Sequence, residues 1–216
     1  MNDELSLLEQ AKEYLKKEEF VKAYEVLSKC ALKEAKIKAF FWLNGLFEQR
    51  KGIPDDPEGA FEYYSFAENF KHKYATYELG IKYLNGNGCQ QNYVIAYKKI
   101  KTAAENNYIQ AYYKLGSLYY EGLGTPKNYE LAVKWFLQSL ESGHIESVIP
   151  LFQLYRKNIC TVADGVYLYK YLNIAAAVGV EEAASSRTEL ELKLTPEEIV
   201  EAQRVSLKEW DDEIFK

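Results

Sequence analysis

Cysteine, histidine and methionine are scarce in this sequence: 216 residues hold three, two and one of them. Cys30, Cys89 and Cys160 fall in different parts of the chain, at a helix end and in two loops. Their odd number and separation offer no disulfide framework and fit a reducing compartment. No run approaches the roughly 18 apolar residues of a membrane span. The N-terminus, MNDELSLLEQAKEYLKK, lacks the basic and apolar regions of a secretory leader, although a chain whose leader had been replaced by Met would read the same. The expectation is a soluble, cytoplasmic, monomeric protein. A basic excess is also missing. The formal charge is -5, and it is unevenly spread. From Glu181 to Lys216 there are 11 acidic and 5 basic side chains, which leaves 22 basic against 21 acidic over residues 1–180. Nucleic-acid binding needs clustered Lys and Arg to displace counterions, so this balance excludes it.

What the chain has is a repeat. The stretch from Ala111 to Gly143, AYYKLGSLYYEGLGTPKNYELAVKWFLQSLESG, returns at a step of 36 residues without a gap. Ala111, Leu115, Gly116, Tyr119, Gly122, Gly124 and Ala132 stand over Ala75, Leu79, Gly80, Tyr83, Gly86, Gly88 and Ala96. One step further back gives Ala39, Leu43, Phe47, Gly52 and Ala60; one step forward gives Leu151, Tyr155, Ala175, Gly179 and Ala183. A fixed period of this length means a solenoid, in which each unit buries its apolar face on its neighbours. The spacing predicts helix A at 39–49, 75–85, 111–121 and 147–157, and helix B at 57–70, 93–106, 129–142 and 165–178.

Local chemistry supports those boundaries. Asn92 and Asn128 are placed to cap helix B, and Asp56 with Pro57 does the same one unit earlier. Gly80 and Gly116 sit inside helix A, where glycine costs about 1 kcal/mol against alanine. Close approach of Ala96 or Ala132 from helix B is the expected reason. Residues 3–38 read as a tighter N-terminal hairpin, with Leu5, Leu8, Ala11 and Leu15 on one stripe and Phe20, Ala23, Tyr24, Leu27 and Ala31 on the other. At the far end Thr195-Pro196-Glu197-Glu198 is a capping box with proline at the first helical position. Leu194, Ile199, Ala202, Val205 and Trp210 supply the apolar side of that helix.

The string A-x3-LG-x2-Y-x2-G-x-G-x3-N-x3-A-x2-W-x3-S-x3-GH from Ala111 to His144 resembles the Sel-one-like repeat, a tetratricopeptide relative with a longer loop between its helices. The likeness covers about 39–182 and is closest in the second and third units. Asn44 and Arg50 replace glycines in the first unit; Phe152, Asn158 and Cys160 replace them in the fourth. The resemblance implies an all-α, right-handed α-α superhelical solenoid of about five helical hairpins. The expected organisation is one repeat domain over 1–216: a tetratricopeptide-like hairpin at 3–38, four repeats of 36 residues at 39–182, and C-terminal capping helices with an acidic tail at 183–216. The end helix resembles the one that closes many bacterial members, which implies a chain complete at its C-terminus.

No arrangement of residues points to catalysis, a metal or a cofactor. His72 and His144 lie two units apart, the cysteines have no base beside them, and NGNG and EGLG lack the strand and the Gly-Lys-Ser/Thr of a phosphate loop. The aromatic content, 19 Tyr, 10 Phe and 3 Trp, is the informative excess. Tyr83, Tyr119, Tyr155, Trp135 and Phe136 read as packing residues between helices A and B. A second set, Phe41, Tyr77, Tyr113 and Ile149, recurs once per unit, with Ile81, Tyr120 and Arg156 on the same face of helix A. These seven are the candidate partner-binding groove, although a helix face packed in the core would give the same letters. The resulting expectation is a non-enzymatic scaffold or adaptor that takes a protein partner, basic in character, in its concave groove. Bacterial relatives also imply an immunity or regulatory protein that neutralises a secreted effector as the alternative. A hydrolase of cell-wall or β-lactam compounds ranks third, since no nucleophile and base can be named.

Overall fold

Every regular element among the described residues is a helix, and over residues 57–178 the helices begin and end close to where the 36-residue register places them. The computed structural model describes residues 2–17, 19–27, 29, 57–68, 72–160 and 163–213. The expected first helix A at 39–49, with Phe41, lies outside them, as do Cys30, Asp56 and the side chains of Leu5, Phe20, Tyr24 and Trp210. The chain divides into two units, Met1–Ala111 and Tyr112–Lys216.

In the first unit, α1 (Asn2–Lys16) and α2 (Phe20–Leu27) form the N-terminal hairpin. Leu8, Ala11, Ala23, Val26 and Leu27 from this pair share a core with Tyr64 of α3 (Pro57–Glu68) and with Tyr74, Ala75 and Leu79 of α4 (Lys73–Asn85). His72 starts α4 by accepting a hydrogen bond at Nδ1 from the Ala75 amide, 3.3 Å away. Gly86 ends it in the left-handed region at φ 69. The Asn92 side chain then accepts from the Ile95 amide to open α5 (Tyr93–Glu105). Between the two helices Gly88 runs so close over the start of α3 that a Cβ there would stand 1.9 Å from the Pro57 carbonyl oxygen. The glycine loop is thus a packing surface for the preceding hairpin. Lys99 of α5 reaches back to Glu68 of α3 with Nζ 2.6 Å from Oε1.

The second unit runs through α6 (Gln110–Glu121), α7 (Tyr129–Glu141), a 3-10 turn at Ile145–Ser147, α8 (Val148–Arg156) and α9 (Gly165–Ala177). It ends with α10 (Ala183–Glu191) and α11 (Pro196–Glu213). Asn128 and Asp164 cap α7 and α9 by accepting from the Leu131 and Tyr167 amides. Asn158 takes φ 56 at the position where Gly122 takes φ 77, so the fourth unit keeps the left-handed exit of helix A without a glycine. Asparagine enters that region more readily than other side-chain-bearing residues. Leu168, Tyr169, Leu172 and Ala175 of α9 are fully buried. Tyr169 donates its hydroxyl to Glu191 of α10 at 2.7 Å and accepts from Gln203 of α11 at 3.2 Å, which ties the last two helices to the array. The capping box forms as the sequence predicts: the Glu198 amide donates to Thr195 Oγ1, and the Thr195 amide donates to Glu198 Oε2.

The close approach at the helix-A glycines is made by different residues from those expected. A Cβ on Gly80 would stand 2.6 Å from Ile100 Cγ1, and one on Gly116 would stand 2.8 Å from Phe136 Cδ1. Ala96 follows with its carbonyl oxygen, at 3.3 Å. At both glycines the nearest atom belongs to a large side chain one turn beyond the alanine.

Candidate functional site

The spacing predicts Tyr113 and Tyr120 on the groove face of one helix A, followed 36 residues on by Ile149 and Arg156. In the second unit Tyr113, Ser117 and Tyr120 of α6 meet Ile149 and Gln153 of α8 around a hollow of about 700 Å³. Residues four and seven apart lie on one side of a helix, so two consecutive A helices bring one side chain per turn to the same space. Phe136 of α7, Pro150 of α8 and the turn Val178–Glu182, between α9 and α10, complete the lining.

Tyr113 is the pivot. Its ring lies 5.6 Å from that of Phe136 on one side and stacks on His144 at 4.8 Å on the other. His144 is held in turn by Ser147 Oγ, 3.2 Å from Nδ1. Burial pushes the Tyr113 phenol pKa up, and the carboxylates of Glu146 and Glu121 push it further. Tyr120 stands edge-on to Tyr129 at 5.6 Å and accepts a hydrogen bond from Lys157 Nζ at 3.3 Å. Lys157 also sits 5.7 Å from the centre of the Tyr120 ring.

The remaining candidate residues lie elsewhere. Tyr77 and Ile81 belong to α4 in the first unit, where both are half-buried and Tyr77 packs on Tyr108 at 5.2 Å. Arg156 does not line the hollow: it is drawn to Glu189 of α10, with Nη1 3.2 Å from Oε2. Exposed at the end of α8, it finds a carboxylate on the neighbouring helix before it can reach the space between α6 and α8. Phe136, Glu121, Glu146 and the turn Val178–Glu182 were not singled out as site residues in the sequence. Phe136 read as core, and the turn belongs to the next unit in the array, which a reading within single repeats does not join to the site.

Among the described residues no group of three or more His, Cys, Asp or Glu side chains is placed to hold a metal. Burial pushes the Cys89 thiol pKa up, the opposite of what a nucleophilic thiolate needs. No helix of the described residues is long and apolar enough to cross a membrane.

Helical hairpins with a glycine-bearing loop, an asparagine cap on the second helix and a glycine inside the first in two successive units define an α-α solenoid repeat protein. Residues 43–68, 73–108 and 109–144 each match the Sel1 repeat, so the chain carries three such repeats. Similar solved structures carry the same fold. A Sel1 repeat protein from Oxalobacter formigenes is 24% identical and superimposes with a TM-score of 0.67, over 93% of this chain and 84% of that one. The protein c5321, a protective antigen present in uropathogenic Escherichia coli strains displaying an SLR fold, is 21% identical with a TM-score of 0.65. That alignment spans 87% of this chain and 41% of c5321. No curated protein sequence matches this chain. Sel1 repeats are generally non-catalytic helical scaffolds for protein interaction.

Proposed function

We propose that this protein is a non-enzymatic adaptor that binds a partner protein through the groove face of its A helices, with the hollow between α6 and α8 as the anchoring point. The observation that carries this reading is the hollow itself. It exposes parts of Tyr113, Tyr120, Ile149 and Pro150 on one concave surface of about 700 Å³, a size and chemistry suited to a bound group. Half-buried tyrosines are efficient anchors because they offer a large apolar ring and a polar tip at little entropic cost. Tyr77 and Ile81 occupy the equivalent positions one repeat earlier in the sequence.

Affinity capture from the native cell with mass spectrometry identifies the partner, and Tyr120→Ala combined with Ile149→Ala tests the site. Loss of capture by a variant that melts with the wild type supports the hollow as the anchor. Normal capture by that variant moves the interaction to the convex face, the loops or the acidic end.

A further inference from the structure

We infer that the hollow in the second unit is built to receive an arginine side chain from a basic segment of the partner protein, an inference that rests on the adaptor reading and refines it. The lining divides by chemistry. Phe136, Tyr113, Ile149 and Pro150 supply apolar and aromatic surface, and Glu121, Glu146, Glu181 and Glu182 share the lining with them. No Lys, Arg or His is part of the lining. Among the described residues, His144 is the one basic group against Glu146, at 3.5 Å, and no cation pairs with Glu121, Glu181 or Glu182. Lys157 approaches Tyr120 without joining the lining.

A lining that combines aromatic and apolar surface with four carboxylates complements a side chain with an aliphatic stem and a cationic head. Between the two candidates, arginine fits better than lysine. Its guanidinium is planar, so it stacks on aromatic rings, and its fork of donors can serve two carboxylates together. It is also more weakly hydrated than an ammonium, so bringing it into a half-enclosed space costs less. A wholly apolar segment would leave four carboxylates facing it, and an acidic segment would be repelled. The volume exceeds that of one side chain, leaving room for the residues on either side of the arginine. The acidic stretch from Glu181 onward, with 11 carboxylates against 5 basic groups, favours approach of the same kind of segment over a longer range.

The test uses the full chain, isotope-labelled at its tyrosine and phenylalanine rings, titrated with glycine-serine peptides carrying a central Leu-Arg-Leu, Leu-Lys-Leu or Leu-Glu-Leu, and with arginine amide. The arginine peptide is expected to shift the Tyr113 and Phe136 ring signals and to bind about tenfold or more tightly than the glutamate peptide, with lysine between. Replacing Glu121, Glu146, Glu181 and Glu182 together by glutamine is expected to weaken the arginine peptide by about tenfold without changing the melt. Equal binding of the three peptides, absence of ring shifts, or unchanged affinity in the glutamine variant overturns the inference. Arginine amide binding as tightly as the peptide overturns it too, in favour of a small-molecule site. The adaptor reading fails separately. Its anchor at the hollow falls when the Tyr120→Ala, Ile149→Ala variant captures the partner normally, and it stands when capture is lost even though none of these peptides binds.

Discussion

The ring of Phe136 lies across Gly116 so closely that a Cβ at that position would stand 2.8 Å from both Cδ1 and Cε1. Phe136 is 1% exposed and belongs to the lining of the hollow, so this one contact joins the packing of α6 on α7 to the site. Gly116→Ala adds helix propensity worth about 1 kcal/mol, but it forces the ring to move. The overpacking, about 1 to 3 kcal/mol, is expected to outweigh the gain and lower the melting midpoint. Phe136→Leu in the same molecule should recover part of the loss. Calorimetry of the two single variants and the double decides this: simple additivity would mean that the ring and the methyl do not compete.

Gly88 makes a harder demand. Its φ is 78, and a Cβ there would lie 1.9 Å from the Pro57 carbonyl oxygen, a backbone atom that has no rotamer to change. Gly88→Ala is expected to lose roughly 3 kcal/mol or more, since strain and clash add. Gly143 is the control: its φ is 90, but nothing lies within 4 Å of an added Cβ. Gly143→Ala should therefore lose only about 1 to 2 kcal/mol for the left-handed backbone. Urea unfolding of the two variants tests the difference, and equal losses would remove the packing role of the glycine loop.

The period and the caps carried most of the fold into the sequence. Asn92, Asn128 and the Thr195–Glu198 box act locally, through side chains and amides within three residues of each other, so their spacing alone reveals them. The register also placed Tyr113, Tyr120 and Ile149 on one face of helix A, because helical geometry repeats with the sequence. What did not follow was anything that depends on how neighbouring helices cross. Ile100 and Phe136, and not the alanines one turn earlier, fill the glycine gaps, since the crossing point is set by the whole interface. Arg156 shares the letter pattern of the groove but is captured by Glu189, a residue with no counterpart in the repeat register.

The closing helix should respond to its cap more than its position at the chain end suggests. Thr195→Ala removes the acceptor for the Glu198 amide, a loss of about 0.5 to 2 kcal/mol. Ala202 and Ser206 of α11 are buried, and Ser206 donates to the Lys170 carbonyl of α9 at 3.2 Å. Faster amide exchange is therefore expected in the first turns of α11 together with a modest fall in the overall midpoint. Faster exchange with an unchanged midpoint would mean that α11 frays independently of the array.

Tyr113 also gives the carboxylates around the hollow a measurable signature. Its phenol pKa is raised, first by burial and then by Glu146 and Glu121, whereas a tyrosine in the unfolded chain ionises near pH 10. The folded state thus holds this proton more tightly than the unfolded state. Its contribution to stability is fully present below about pH 10 and is lost as pH rises through the raised folded value. Tyr113→Phe removes the titrating group, so above about pH 10 its midpoint should fall less steeply than that of the wild type. The difference in phenolate absorbance between the two proteins isolates this one phenol from the other 18 tyrosines. Glu121→Gln with Glu146→Gln should move that difference titration downward only in part, because burial is the larger cause. A difference titration unmoved by both substitutions would place the carboxylates out of electrostatic reach of the ring and remove the anionic lining on which recognition of a cation depends.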